Sequence, residues 1–184
     1  MKLNIIGVVG VIILFISLAL PWWMMTLSPS ETNAIYSGNV AIYPYQATAS
    51  VTPPGSSLVL RTDFWYGWAA LALVILGGLL GIAGSLLRGA RVLLVGGGLM
   101  ALLSIIIFAV GLQSDLSNST FAQEAGLPWP ALGLFVSGTF GGYAYTTYLS
   151  FGFWLALAAT IIMLFASLKK PKMIAPTAPP PTSA

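Results

Sequence analysis

Acid–base chemistry in this chain would have to come from very few side chains. The 184 residues include four acidic and seven basic side chains, and neither histidine nor cysteine. Asp63, Asp115 and Glu124 are carboxylates that folding could bring together, and two neighbouring carboxylates can act as a general acid and a general base. Arg61 and Asp63 flank Thr62, so in a strand they would share one face, either as an ion pair or as a pair that orients a substrate.

The absence of histidine and cysteine restricts the chemistry further. This composition excludes disulfides, thiolate nucleophiles, the usual zinc ligands and histidine ligation of haem. The long apolar segments carry no ionisable residue, whereas a proton-coupled carrier holds such a group within the membrane. We therefore predict that the protein is not an enzyme, and we predict no catalytic residue, no cofactor and no metal.

The composition is typical of a membrane protein. Hydrophobic residues make up 58% of the chain and charged residues 6%, against about 25% charged residues in soluble domains. Four charge-free apolar segments have about the 20 residues that a helix needs to cross a bilayer. The predicted fold class is membrane α-helical: a four-transmembrane-helix bundle with a small external β-rich cap formed by the two long loops.

The predicted domain boundaries follow from these segments. They are 1–25 for the first transmembrane helix, 26–63 for a β-rich external loop, 64–87 for the second helix, 88–91 for a cytoplasmic turn, 92–112 for the third helix, 113–149 for an external loop with a hairpin, 150–168 for the fourth helix and 169–184 for a cytoplasmic proline-rich tail.

Charge placement predicts the orientation of the chain in the membrane. The four apolar segments place the charged residues on two opposite sides of the membrane, and Arg61 is the one basic residue on the side that carries all four acids. This positive-inside pattern predicts a multi-pass protein of the cell membrane with both termini in the cytoplasm and both long loops outside. The alternative for the first segment is a cleaved signal peptide, with Ser17–Ala19 as its cleavage region. The basic residues on the opposite side are Lys2, Arg88, Arg91, Lys169, Lys170 and Lys172.

Tryptophans occur where the apolar segments end. Indole rings prefer the boundary between lipid and water, so the pattern favours interfacial anchoring. The alternative is a quinone or lipid-tail pocket lined by these rings. The predicted interfacial aromatic residues are Trp22, Trp23, Trp65, Trp68, Trp129 and Trp154.

Small residues repeat along one face of each apolar segment. Close backbone approach at such residues drives the association of helices in membranes. The same faces could instead contact another protein. The predicted helix-packing residues are Gly77, Gly81, Ser85, Gly97, Ala101, Gly152 and Ala156.

The long loops contain β-forming residues between turn residues, and the clearest pattern lies between Leu134 and Leu149. Two β-rich runs flank Gly141-Gly142, a pair that can adopt the positive φ angles of a tight hairpin. Asn118 begins an N-glycosylation sequon in the same loop. An isolated hairpin is marginally stable in water, so we expect the two loops to pair into one sheet.

The stretch MKLNIIGVVGVIILFISLALPWW, followed by a loop rich in Ser, Thr and Tyr, resembles small four-span membrane proteins of thermoacidophilic archaea. That resemblance implies no activity. The topology is also similar to claudin-type tetraspan proteins, in architecture only. Residues 26–63 lack the tryptophan, the GLW stretch and the cysteine pair of the claudin pattern, so a barrier function is not implied.

These observations favour a non-catalytic structural or accessory subunit of a larger membrane assembly, which contacts its partners through helix faces and the external cap. A cell-surface adhesion protein is one alternative, and a carrier or pore for a neutral or lipidic solute is another. The expected partners are the lipid bilayer and other membrane protein subunits, with a homo-oligomer as an alternative. The basic residues are scattered, so no nucleic-acid partner is expected.

Overall fold

The structure is a computed structural model that describes seven stretches of the chain. They are residues 4–30, 37–52, 58–61, 64–87, 90–117, 133–140 and 142–168, without the side chains of 51–52, 58–61 and 140. The predicted sequon at Asn118, the predicted interfacial Trp129 and the predicted tail 169–184 lie outside the described residues.

The described residues form four helices. They are α1 Ile5–Leu18, α2 Trp65–Leu86, α3 Arg91–Ser117 and α4 Phe151–Leu168. Within the described part of the chain, α2, α3 and α4 are long and apolar enough to cross a membrane, and α1 is a shorter apolar helix. These three helices are compatible with a membrane location.

The first and third helices differ in length from the predicted spans. α1 ends at Leu18 instead of near residue 25, because Pro21 disfavours a helical conformation at the residue before it. The chain beyond Trp22 then pairs with two strands instead of continuing the helix. α3 continues beyond the predicted end at residue 112 to Ser117, and Leu116 in its last turn is buried against the core.

The four helices form a closed ring in chain order, in which α1 and α3 each pack against both α2 and α4. Asn4 fixes the relative direction of three of them. Its backbone N–H donates to the carbonyl of Ser85 at 3.1 Å, and its side-chain Nδ2 donates to the carbonyl of Ala166 at 3.1 Å. The start of α1 therefore lies beside the ends of α2 and α4. We call this the distal end of the bundle and the opposite one the sheet end.

A six-stranded antiparallel sheet is joined to the sheet end. Its strands are β1 Trp23–Pro29, β2 Ser37–Ile42, β3 Ala47–Thr52, β4 Leu58–Arg61, β5 Ser137–Phe140 and β6 Tyr143–Leu149. Their order is β4-β3-β2-β1-β6-β5. Because β1 lies between β2 and β6, it unites two segments that are far apart in the sequence. β5 and β6 form a hairpin whose turn includes Gly142 at a φ of 82°.

Candidate functional site

The connection between α1 and β1 joins the sheet to the bundle. Trp22 in this connection is completely buried, and its Nε1 donates to the carbonyl of Ser17 at 3.0 Å. Its ring meets Phe108 of α3 and Phe153 of α4 edge to face, at centroid distances of 5.0 and 6.2 Å. One indole therefore holds three helices together beneath the sheet.

The backbone of the same connection ties the sheet to α4. The N–H of Trp22 donates to the carbonyl of Ile42 at 2.8 Å, and its carbonyl accepts from the N–H of Ser150 at 2.9 Å. Gly152 N–H donates to the carbonyl of Pro21 at 3.0 Å. A Cβ at Gly152 would lie 2.6 Å from Cδ1 of Trp22, so only glycine allows this approach. Gly152 thus packs against the connection before β1.

Trp22 and Trp23 do not expose their rings as interfacial anchors would, because the chain turns into the sheet and both indoles pack in the interior with no exposed surface. Trp65, Trp68 and Trp154 are instead exposed by 70%, 51% and 51%, all near the sheet end. Their interfacial role stays a prediction.

The inner face of the sheet packs over the bundle and extends its core. Trp23, Met25 and Leu149 are buried on this face, together with Tyr145 and Thr147. The Nε1 of Trp23 is buried and has no hydrogen-bond partner among the described residues. The sheet and the bundle therefore share one continuous hydrophobic core.

Thr147 fixes the segment that leads into β5. Its Oγ1 accepts from the N–H of Val136 at 2.8 Å and donates to the carbonyl of Gly133 at 2.9 Å. Gln113 of α3 also reaches this segment, because its Oε1 accepts from the N–H of Leu134 at 3.2 Å. The hairpin edge of the sheet is thereby held against the end of α3.

The outer face of the sheet carries an uncharged row of hydroxyl and amide side chains. Strand register places one such residue on each of five adjacent strands. Five strands span about 19 Å, since neighbouring strands lie about 4.8 Å apart. We call this set the polar row, and its members in spatial order are Ser137, Thr146, Thr26, Asn39 and Ser50.

Hydrogen bonds order the side chains within the polar row. Ser50 Oγ donates to Oδ1 of Asn39, and Thr26 Oγ1 donates to the carbonyl of Thr146 at 3.4 Å. Asn39, Thr146 and Ser137 are exposed. This arrangement can exchange neutral hydrogen bonds with a partner. It carries no charge that would attract a strongly charged one.

Of the seven predicted helix-packing residues, Gly77 and Gly97 lie where α2 meets α3, whereas Gly152 packs against the connection before β1. All seven are buried. A Cβ at Gly97 would lie 2.5 Å from the carbonyl oxygen of Gly77, and one at Gly77 would lie 3.2 Å from the nitrogen of Ala101. The backbones of α2 and α3 therefore approach closely at these glycines.

Met163 of α4 fills the middle of the ring of helices. Its side chain lies against Gly10 of α1, Gly81 of α2 and Gly97 of α3, and it has no exposed surface. One flexible side chain thus occupies the space that three glycines leave open. The packed axis leaves no passage at this level of the bundle.

The three carboxylates that folding could bring together are described only in part. Asp115 lies near the end of α3, while Asp63 and Glu124 are outside the described residues, as is the side chain of Arg61. In the stretches that the structure covers, no three Asp or Glu residues are grouped as a metal site would require.

An apolar groove of about 360 Å³ opens between α1 and α4 at the distal end. Ile6, Ile161 and Phe165 are among the residues that line it. The exposed positions along both helices are mainly isoleucine, leucine and phenylalanine, which suits contact with lipid chains.

Sequence reasoning missed three residues that organise the bundle and the sheet: Asn4, Thr147 and Met163. A polar residue just before an apolar run is a helix N-cap signal, and it marks Asn4. Nothing in the local sequence distinguishes Thr147 from its exposed neighbour Thr146, or identifies Met163 as the residue on the bundle axis.

The fold and site together define a helical protein of membrane-compatible composition with an antiparallel sheet at one end of its bundle. Comparison with protein-family models and with curated proteins found no match. The resemblances to archaeal four-span proteins and to claudin-type proteins stay predictions.

Proposed function

We propose that the chain crosses the membrane four times, with α1 as the first span. α1 has 14 residues, but the segment from Asn4 to Pro21 that contains it runs beside α4 from one end of that helix to the other. Asn4 bonds to Ala166 at the distal end, and the carbonyl of Pro21 accepts from Gly152 at the sheet end. Because α4 is long enough to cross a membrane, the segment Asn4–Pro21, which extends along its whole length, is also long enough.

We also propose that the distal end faces the cytoplasm and that the sheet lies outside. Arg91 begins α3 at the distal end. In the sequence, Lys2 and Arg88 adjoin described helix ends on the same side, and Lys169 directly follows α4. Basic flanks of this kind stay on the cytoplasmic side.

Labelling of introduced cysteines tests this topology, since the chain has no cysteine of its own. Asn39→Cys should react with a membrane-impermeant maleimide on intact cells, while Arg91→Cys should react only after permeabilisation. Labelling of Arg91→Cys on intact cells would overturn the orientation.

The function that the geometry supports best is that of a non-catalytic structural or accessory membrane protein whose sheet contacts other proteins. The polar row is the observation that carries this proposal. The small-residue faces of the helices are occupied by contacts within the chain, as at Gly77 and Gly97. This leaves large apolar side chains on the outside of the bundle, so the sheet is the surface better suited to a specific partner.

An adhesion protein is a second candidate, because the same polar row would face a neighbouring cell. A carrier or pore is less favoured, since Met163 fills the axis of the bundle. The two interaction functions differ in whether the partner belongs to the same membrane.

Photo-crosslinking from the outer face tests the interaction function. A benzophenone amino acid replaces Asn39 on the polar row, and the matched control replaces Leu103, which is exposed on α3. We expect a single membrane protein to crosslink from position 39 and to co-purify in fixed stoichiometry without the crosslinker. A partner on the adjacent cell would support adhesion instead. Crosslinks from position 103 alone would overturn the proposal that the sheet is the surface that contacts the partner.

A further inference from the structure

The two outermost strands of the sheet are protected very differently. Natural sheets protect exposed edges with prolines and charged residues. β4 is preceded in the sequence by Pro53-Pro54, ends at Arg61 and is followed by Asp63. The β5–β6 hairpin contains neither a proline nor a charged residue from Leu134 to Leu149. Among the described residues, β5 pairs with β6 alone. No strand in the described stretches pairs with its other edge, which we call the open edge.

The backbone groups that point away from β6 can be identified from the register. Thr147 N–H donates to the carbonyl of Val136 at 2.8 Å, which makes these two residues a hydrogen-bonded pair. Such pairs alternate along an antiparallel ladder, so Gly138 also exchanges its hydrogen bonds with β6. Ser137 and Thr139 consequently direct their N–H and carbonyl groups to the open edge.

We propose that this edge pairs with the same edge of a second copy of the chain, to form a symmetric dimer with one twelve-stranded antiparallel sheet. In the register that uses every outward group, Ser137 lies opposite Thr139 of the second copy, and Gly138 lies opposite its own equivalent. Four backbone hydrogen bonds join the copies, two for each Ser137–Thr139 pair.

The chemistry of the edge favours a second copy as the occupant. A symmetric pairing brings identical residues together, so any charge on the strand would face a like charge, and β5 has none. The exposed Phe135, with 63% of its surface accessible, adds an apolar contact two residues before the strand begins. Strand addition to an open sheet edge is a common mode of protein recognition.

The geometry also suits two copies in one membrane, a step that rests on the proposed membrane placement. The two-fold axis of a continuous antiparallel sheet is perpendicular to the sheet. The inner faces of both copies, which carry the buried Trp23 and Met25, then lie on the same side of the joined sheet. Both bundles would enter the same bilayer in the same orientation.

Cysteine crosslinking tests the pairing directly in the full-length chain in lipid vesicles. In the proposed register, residues 137 and 139 of opposite copies have Cα atoms about 5.5 Å apart, a distance that a disulfide spans. The variant Ser137→Cys/Thr139→Cys should give a covalent dimer on mild oxidation. The matched control is Thr48→Cys/Ser50→Cys on β3, where equivalent residues of the two copies would be about 43 Å apart and should not crosslink.

A second measurement uses the outward N–H of Thr139. Thr139→Pro removes this donor and keeps every bond to β6, whereas Thr139→Val keeps the donor and the shape. With dyes attached at Ser50→Cys, energy transfer between copies in vesicles reports dimer formation. We expect Thr139→Pro to raise the protein-to-lipid ratio at half-dimerisation by about tenfold, because two of the four intermolecular bonds are lost. Thr139→Val should leave that ratio within about twofold.

Three outcomes would overturn the dimer: no covalent dimer from the β5 variant, equal crosslinking of the β3 variant, or equal energy transfer for the proline and valine variants. These results are independent of the photo-crosslinks from position 39. If the dimer forms but no second protein crosslinks from position 39, only the proposed accessory function is contradicted. If a second protein crosslinks from position 39 but no dimer forms, only the edge pairing is contradicted.

Discussion

Replacing Gly97 by alanine tests whether glycine sets the distance between α2 and α3. A Cβ at Gly97 would lie 2.5 Å from the carbonyl oxygen of Gly77 and 2.9 Å from the nitrogen of Gly81. Both are backbone atoms of α2, so no rotation of a side chain relieves the contact. The helices must separate by about 1 Å, which removes about a quarter to a half of the dispersion energy of each affected atom pair.

The expected loss of stability follows from this separation. Overpacking of a close-packed interior costs about 1–3 kcal/mol. Gly97 also lies against Met163, so the added methyl group disturbs the contact of α3 with α4 as well. We expect Gly97→Ala to lower the free energy of unfolding by about 2–3 kcal/mol, near the upper limit of that range.

Gly96 provides the matched control. A Cβ at this neighbouring glycine would have Cδ1 of Leu80 as its nearest atom, at 4.0 Å, which is an ordinary contact. Alanine is also the better helix former, by about 1 kcal/mol in water. We therefore expect Gly96→Ala to leave the free energy of unfolding unchanged or to raise it.

Titration of the full-length chain in mixed micelles with sodium dodecyl sulfate measures both variants. Trp22 and Trp23 are completely buried, so tryptophan fluorescence reports their exposure on unfolding. The midpoint for Gly97→Ala should fall well below that of the parent chain, and the midpoint for Gly96→Ala should not. Equal midpoints for the two alanine variants would refute the claim that glycine sets the helix distance.

Three further substitutions test contacts at the two ends of the bundle. Trp22→Phe loses a buried hydrogen bond and should destabilise the protein by about 1–3 kcal/mol in the same titration; an equal loss for the exposed Trp65→Phe would contradict this role. Asn4→Ala removes a helix cap worth about 1–2 kcal/mol, so amide exchange in the first turn of α1 should accelerate; unchanged exchange would argue against the cap. Thr147→Val leaves buried backbone groups unpaired and should cost about 1–3 kcal/mol. Thr146→Val, on the exposed face, should change the free energy of unfolding by less than about 0.5 kcal/mol. Equal losses of stability for the two valine variants would contradict the assignment of Thr147 to the inner face.

Residues of identical type at neighbouring positions show where sequence reasoning reaches its limit. Thr146 and Thr147 are both suited to a strand, and alternation predicts that they lie on opposite faces. Only the structure shows that Thr147 bonds to the segment at Gly133 and Val136, because that contact depends on how the chain before β5 approaches the hairpin.

The tryptophan pair Trp22-Trp23 shows the same limit at the end of a helix. An apolar run that ends in tryptophan is typical of a lipid boundary, and the rings of Trp65 and Trp154 are exposed. Trp22 and Trp23 are interior residues instead. Their position depends on β1 pairing with β2 and with β6, and β6 lies more than one hundred residues later in the chain.

The amino-acid sequence by itself determined the apolar helices, the small-residue faces and the glycine-centred hairpin, since each follows from the composition and periodicity of a local segment. The tertiary structure alone decided that one sheet unites both long loops, that Met163 meets three glycines on the axis of the bundle, and that five strands align the polar row. These features combine residues from distant segments, and their positions depend on the pairing of whole elements, which no local pattern encodes.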